Sequence, residues 1–375
     1  MKVATSHSLQ PFVDWLRQAH VVPQTSLLES EGHSALRSSL RFRECLEDFQ
    51  VEEQLAFVPA AQGHHLFCFV EKQGLSTNHL VQRISERWGI SKKNIGFAGR
   101  KDQRGVTRQW VSLPAQHWGA EDPSDLGIDG VRLLEVVRNN KKLRLGQLTQ
   151  NRFRVLLRGE VSDPEGCKAR WKRAVSQGIP NFFGHQRFGY GQGNLEKVVA
   201  FLKRGKRARS NKEKFLESVF QSICFNQWLG QRIAQQALPQ ALSGDILLGL
   251  PFGLRPFPLE NEADTQERIA SGAITVAGPL LGPKSMAATD EAQRFESDVW
   301  TQMGLQEAWL TQTSVLSHGA RRPAMVPLID PSWTDVTDGL LLEFGLPKGS
   351  YATVVLDHLF PGQIEDFAKA DLSAP

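Results

Sequence analysis

The stretch "NRFRVLLRG", Asn151–Gly159, is the most readable β-strand in the chain. Asn151, Phe153, Val155 and Leu157 fall on one side at period two, and Arg152, Arg154 and Arg158 fall on the other with Leu156. Successive strand side chains point to opposite faces, so this segment carries one covered and one wet face. Asn151 interrupts the apolar side. An amide carried into a core needs hydrogen-bond partners. An amide beside an aromatic ring is also the pairing that stacks a base and binds its edge.

Working outward, Phe49, Val51, Leu55 and Phe57 share one parity, broken by Glu53, and read as a second strand. "HLFCFV" (His65–Val70) is a short apolar run, expected as a covered strand. In "STNHLVQRISERWGI", Leu80, Val81, Ile84 and Trp88 recur at helical spacing, with Ser76 or Thr77 as N-cap and Gly89 as C-cap. "TRQWVSL" and "VRLLEVV" are further strands, and residues 115–130 a loop. "PEGCKARWKRAVSQG" is an amphipathic helix ending at Gly178. Residues 1–39 are mixed and expected at the periphery.

From 178 to 325 the texture changes to helices such as "NLEKVVAFLKRG" and "NKEKFLESVFQSICFNQWLGQRIAQQAL". "LLLEFGLPKGSYATVVLDHLF" then returns to strand, turn and a helix starting near Ser350. The expectation is an α+β protein with an inserted, mostly helical α+β domain and no internal repeat.

The totals narrow the function classes. At 375 residues the chain is long for one core, so two domains or one domain with a large insertion are expected. Net charge is only +4, so any anion-binding surface must come from local clustering. Two clusters stand out. Arg138–Arg173 holds eleven Lys or Arg against three acids, and Lys203–Lys214 holds seven against one. Either alone is ordinarily a solvated face. Together, in a chain of this net charge, they point to a phosphate-backbone footprint.

Cys45, Cys68, Cys167 and Cys224 form no ligand-spaced set and read as reduced thiols of a cytoplasmic protein. No apolar run approaches the roughly 20 residues of a membrane span, and no secretory h-region opens the chain. His64–His65 lacks metal spacing. "GYGQGN" is a turn before a helix capped by Asn194, not a nucleotide loop. Ser317–His318 has no nucleophile-elbow context.

One segment, "NIGFAGRKDQRGVTRQW" (Asn94–Trp110), carries a single carboxylate among four cations. A turn aspartate bonding its own backbone is the plain reading of Asp102. Arg100, Lys101, Arg104 and Arg108 would also hold it ionised and draw phosphates to the same place. There a charged carboxylate can serve as nucleophile or base.

"GFAGRKDQRGVTRQW", with "EDFQVEE" (Glu47–Glu53), "KKLRLGQLTQNRF" (Lys141–Phe153), "PNFFGHQRFG" (Pro180–Gly189) and "LPKGSYAT" (Leu346–Thr353), resembles the TruD family of tRNA pseudouridine synthases in motif order. The resemblance implies the pseudouridine synthase fold, a mixed and mainly antiparallel sheet flanked by helices. Its catalytic domain would comprise residues 1–177 and 326–375, and its insertion residues 178–325. It puts the catalytic aspartate on Asp102 and substrate-binding positions on Phe49, Asn151, Phe153 and Tyr351. Arg43, Lys101 and Arg104 are its RNA-contact candidates.

The implied reaction converts a tRNA uridine, uridine 13 in bacterial relatives, to pseudouridine. It needs no cofactor and no metal, and a monomer with tRNA as partner and no membrane is expected. Asp102 would start it by attacking C1′ or by removing the 2′ proton, and Phe153 would stack on the uracil. Two positions depart from the family pattern: Gln150 precedes Asn151 where glycine is common, and "GHH" stands where an acid is expected before the histidine. A non-catalytic RNA-binding protein is the rival reading. A nuclease would want clustered acids or paired histidines, which the sequence lacks.

Overall fold

The alternation in Asn151–Gly159 becomes the middle of a sheet. The computed structural model describes residues 9–19, 39–118, 122–189, 193–253 and 255–367. By internal contacts the chain forms two compact units. One is built from residues 35–168, 328–349 and 362–375, and the other from 1–34, 169–327 and 350–361.

The first unit holds a mixed, mainly antiparallel sheet of ten strands. Its main order is Ile329–Val336, Gly339–Pro347, Leu148–Gly159, Phe49–Leu55, Val106–Pro114, His65–Gln73 and Val131–Asn139. Among the described residues only two pairings are parallel: Phe49–Leu55 with Val106–Pro114, and Leu40–Phe42 with Ile364–Asp366. The strands expected from periodicity all form. Leu148–Gly159 pairs on both sides, with Phe49–Leu55 and Gly339–Pro347. Its Asn151 side is half or wholly covered, and Arg152 and Arg154 are exposed on the other. His65–Gln73 is buried on both faces between two neighbours, which is why its sequence is a continuous apolar run.

The helix Thr77–Trp88 starts where expected. Ser76 Oγ accepts the His79 N–H, and Gly89 ends the helix at φ +64. Leu80, Val81 and Ile84 enter the core beneath it with Leu66, Val70 and Val111.

The second unit packs helices around the long helix Asn211–Ala234. A four-stranded sheet of Phe257–Pro258, Ile246–Gly249, Ile274–Leu280 and Ala320–Pro323 lies within it. The N-terminal segment corrects an expectation. Rather than lying peripherally, the helix Gln10–Gln18 buries Phe12 completely, edge-on to Phe220 at 5.5 Å. Its apolar positions 9, 12, 13 and 16 recur at helical spacing and mark the buried face. The units also cut the chain elsewhere than the family-based expectation. The helices Gln10–Gln18 and Ala352–Leu359 fall in the unit that holds the 169–327 segment. Tyr190 and the two residues after it, part of the glycine-rich turn, lie outside the described residues, and the helix there begins at Gly193.

In the helix Ala352–Leu359, His358 is packed with Arg170 and Arg173 nearby. Burial, reinforced by both arginines, pushes its imidazole down to about 4. An unfolded chain takes up this proton near the ordinary 6.5, so the native state loses stability as pH falls from about 6.5 to about 4. The expected size is on the order of 3 kcal/mol. Urea melts of His358→Leu and the parent at pH 7 and 4.5 check this: the parent's stability falls more steeply.

Candidate active site

Asp102 lies, exposed, in the loop running from the short strand Gly96–Phe97 into Val106–Pro114. Three side chains anchor this loop. Lys101 Nζ donates to Glu53 Oε2 at 2.7 Å, with the two side chains 5% and 0% exposed. The Lys101 N–H donates to Thr77 Oγ1 at 2.8 Å, and Thr77 Oγ1 donates to Gln109 Oε1 at 2.8 Å. Lys72 Nζ, fully buried, donates to the carbonyl of Asp102 at 3.2 Å and to that of Leu75.

Two glycines make the approach possible. A Cβ at Gly99 would stand 2.7 Å from Glu53 Oε2 and 2.8 Å from Lys101 Nζ. Gly105 has φ +147, and its Cβ would lie 2.5 Å from the carbonyl oxygen of Phe49.

Strand register assembles the surface next to this loop. Directly opposed residues share a face. Phe49, Val51 and Glu53 stand opposite Val155, Phe153 and Asn151, which stand opposite Leu342, Phe344 and Leu346. Val51 also aligns with Thr107, and Thr107 with Lys72. Phe42, Phe49, Phe153 and Phe344 make a column of rings, with successive centroids 5.4, 6.0 and 5.6 Å apart. Phe49 is 4% exposed and Phe153 7%, so little of either ring is open to a base. Beside the column, Asn151 Oδ1, Thr107 Oγ1 and Gln109 Nε2 are buried with no hydrogen-bond partner among the described residues. Buried polar atoms are nearly always satisfied, so three on one face are unusual.

Electrostatics follow the burial. Desolvation pulls the Lys72 ammonium down to about 8, with Lys101 adding to the effect and Asp102 opposing it.

Sequence comparison places the chain in a family. A family model described as "tRNA pseudouridine synthase D (TruD)" matches residues 37–213 and 210–359. This chain belongs to the tRNA pseudouridine synthase D family. It is 36% identical over 328 residues to "tRNA pseudouridine synthase D" of Thermus thermophilus, covering 87% of this chain and 90% of that one. It is 34% identical over 348 residues to the protein of the same name from an Anaeromyxobacter species, covering 91% and 96%. A solved structure of a putative family protein from Methanosarcina mazei shares the fold at TM-score 0.64 and 22% identity, covering 90% of this chain and 98% of that one.

Other positions singled out by the family pattern fall differently. Tyr351 lies in the second unit as the residue before the helix Ala352–Leu359. Its ring is edge-on to Phe183 at 6.2 Å. Arg322 sits over the Phe183 ring at 3.9 Å and donates to both oxygens of Asn181, and burial pulls its guanidinium down to about 10.

Two expected RNA contacts are engaged internally. Arg43 donates to both carboxylate oxygens of Asp366, with both side chains under a tenth exposed, and lies over the Phe42 ring. Lys101 is held by Glu53 as above. Arg104 is half-buried in the loop.

The basic cluster between Arg138 and Arg173 is not one surface. Arg152, Arg154 and Arg158 point to the side of the sheet opposite Phe153, and Arg158 is bonded to Asp48 at 2.8 Å. The seven cations of Lys203–Lys214 do stay exposed. There Glu213 caps the helix start with Ser210 and pairs with Arg204, which lowers its carboxyl to about 2. The Ser317 hydroxyl donates to Glu217 Oε2 at 2.8 Å and Glu217 also accepts the N–H groups of Ser317 and His318, so the carboxylate secures a turn.

Glu53, Lys72, Thr77 and Gln109 were not singled out as site residues by the sequence reading. Glu53 did leave a trace, as the charged residue on a core parity. Lys72, inside a strand covered on both faces, left none.

Proposed function

We propose that the protein converts uridine to pseudouridine in tRNA, at position 13, with Asp102 starting the reaction. The observation that carries this reading is the combination around Asp102. An exposed carboxylate stands on a loop whose backbone is secured by buried groups, beside a face carrying three unpartnered polar atoms. The reaction breaks the N1–C1′ bond, turns the uracil, joins C5 to C1′, and moves the C5 proton off as N1 gains one. Asp102 contributes an ionised oxygen, either attacking C1′ or taking the 2′ proton. The target nucleotide must leave its stack to reach it, at a cost of a few kcal/mol.

In this reading Asn151 holds the nucleotide or the carboxylate, and Phe49 and Phe153 line the base site. The low exposure of Phe49 and Phe153 favours contact with a ring edge over a broad stacking face. The enzyme works on cytoplasmic tRNA. No helix among the described residues is long and apolar enough to cross a membrane.

Incubating the protein with unmodified tRNA transcripts and mapping pseudouridine tests the activity and the position together. Conversion at uridine 13 is expected. Binding without conversion would favour the rival RNA-binding reading, and conversion elsewhere would refute the position alone.

Binding should also weaken as salt rises, because each neutralised phosphate contributes a slope of roughly −0.7 to −0.9 in log K against log salt. Lys206, Arg207 and Arg209 are exposed in the second unit. Changing all three to Ala should flatten that slope by about 2, measured by filter binding from low to moderate salt.

A further inference from the structure

We infer that Lys72 is a positioning residue for the reaction: its buried ammonium bridges the carbonyls of Asp102 and Leu75 and so sets where the Asp102 carboxylate stands. The inference rests on the proposed role of Asp102. Its basis is geometric. Lys72 is 1% exposed, and its Nζ donates to the Asp102 carbonyl at 3.2 Å and to the Leu75 carbonyl in the turn before the helix Thr77–Trp88. A lysine is almost never fully buried without a reason. A carbonyl pair is a weak return for desolvating an ammonium, because a carboxylate partner would stabilise it far better. Glu53, the nearby acid on this face, is held by Lys101 instead.

The charged groups around Lys72 are few. Lys101 and Asp102 face it from the loop, and Glu53 lies across the sheet, bound to Lys101. Glu71, Arg108 and Arg132 pair with one another on the opposite face. His79, at the start of the helix, is exposed. Both positive neighbourhood and burial lower the proton affinity of Lys72, to about 8. The bridge is therefore charged at neutral pH and loses its proton just above it. A neutral amine donates weaker hydrogen bonds than an ammonium, so the carbonyls of Asp102 and Leu75 are held less firmly.

The test is the pH dependence of single-turnover pseudouridine formation, with enzyme in saturating excess over tRNA, from pH 6 to 9.5, with folding followed by circular dichroism at each pH. The wild type is expected to lose activity as pH rises through about 8, while tRNA affinity stays constant. Lys72→Gln keeps donors but cannot titrate. It should show a kcat lower by roughly 10- to 100-fold, an unchanged KM, and no loss near pH 8. Lys72→Arg, charged throughout, should move the loss to higher pH. A wild-type profile without a limb near 8 overturns the inference whatever the variants do. So does a limb that persists unchanged in a folded Lys72 variant. Asp102→Asn run alongside separates the two readings: if it still turns over, the role of Asp102 fails, whereas a silent Asp102→Asn with an unaltered Lys72 variant sinks only the positioning role.

Discussion

Asp102→Asn is expected to abolish pseudouridine formation while leaving tRNA binding and folding intact. The amide has nearly the shape of the carboxylate but can act neither as a base nor as a nucleophile. Removing an activated group of this kind costs on the order of 10^4-fold or more in rate. Folding is spared for a local reason. The residue is exposed, and the loop is held through backbone atoms at positions 101 and 102 and through the Lys101 side chain. Surface changes away from such anchors usually stay within about 0.5 kcal/mol. Single-turnover assays, filter binding and a urea melt of the same preparation give all three readings. Turnover in the Asn variant within tenfold of wild type would remove Asp102 from the chemistry.

The second large effect concerns Lys101, one residue away and of opposite character. Lys101→Met should destabilise the protein by about 3–5 kcal/mol, the usual cost of removing one partner of a buried ion pair. The Glu53 carboxylate, 0% exposed, would keep only the Trp110 N–H at 3.2 Å. Replacing both, as Glu53→Leu with Lys101→Met, should recover most of the loss, since an apolar pair avoids the desolvation penalty altogether. Urea denaturation of the two singles and the double closes the cycle. The result also separates two roles for this lysine. A phosphate contact on the surface would cost under about 1 kcal/mol of stability and would instead flatten the salt dependence of binding by roughly 0.7–0.9. Full stability in Lys101→Met would return the residue to the RNA-binding surface.

How much of this was legible beforehand varies with the kind of signal. Period-two alternation located the strand carrying Asn151 and Phe153 and showed which side was covered, because a sheet with one wet face writes its orientation into the sequence. Ser76 and Gly89 bounded a helix for equally local reasons. The Lys203–Lys214 cations proved exposed, as a charge run ordinarily is. The cations of Leu148–Gly159 looked similar in sequence but stand on the face away from Phe153. The same alternation that placed Phe153 requires this, and a count of charges along the chain ignores it.

Sequence by itself therefore determined the strands, the main helices, the family and the candidate aspartate, since each is written in local spacing or in motif order. Tertiary structure alone decided the rest. It gave Arg43 to Asp366 and Lys101 to Glu53, drew Phe12 into the core of the second unit, and set Lys72 under the carbonyl of a residue thirty positions away. A charged side chain reads the same in a sequence whether it ends in water or against a buried partner. Only the register of distant strands supplies the partner, and the partner decides whether that charge binds RNA, stabilises the fold or holds the reacting group in place.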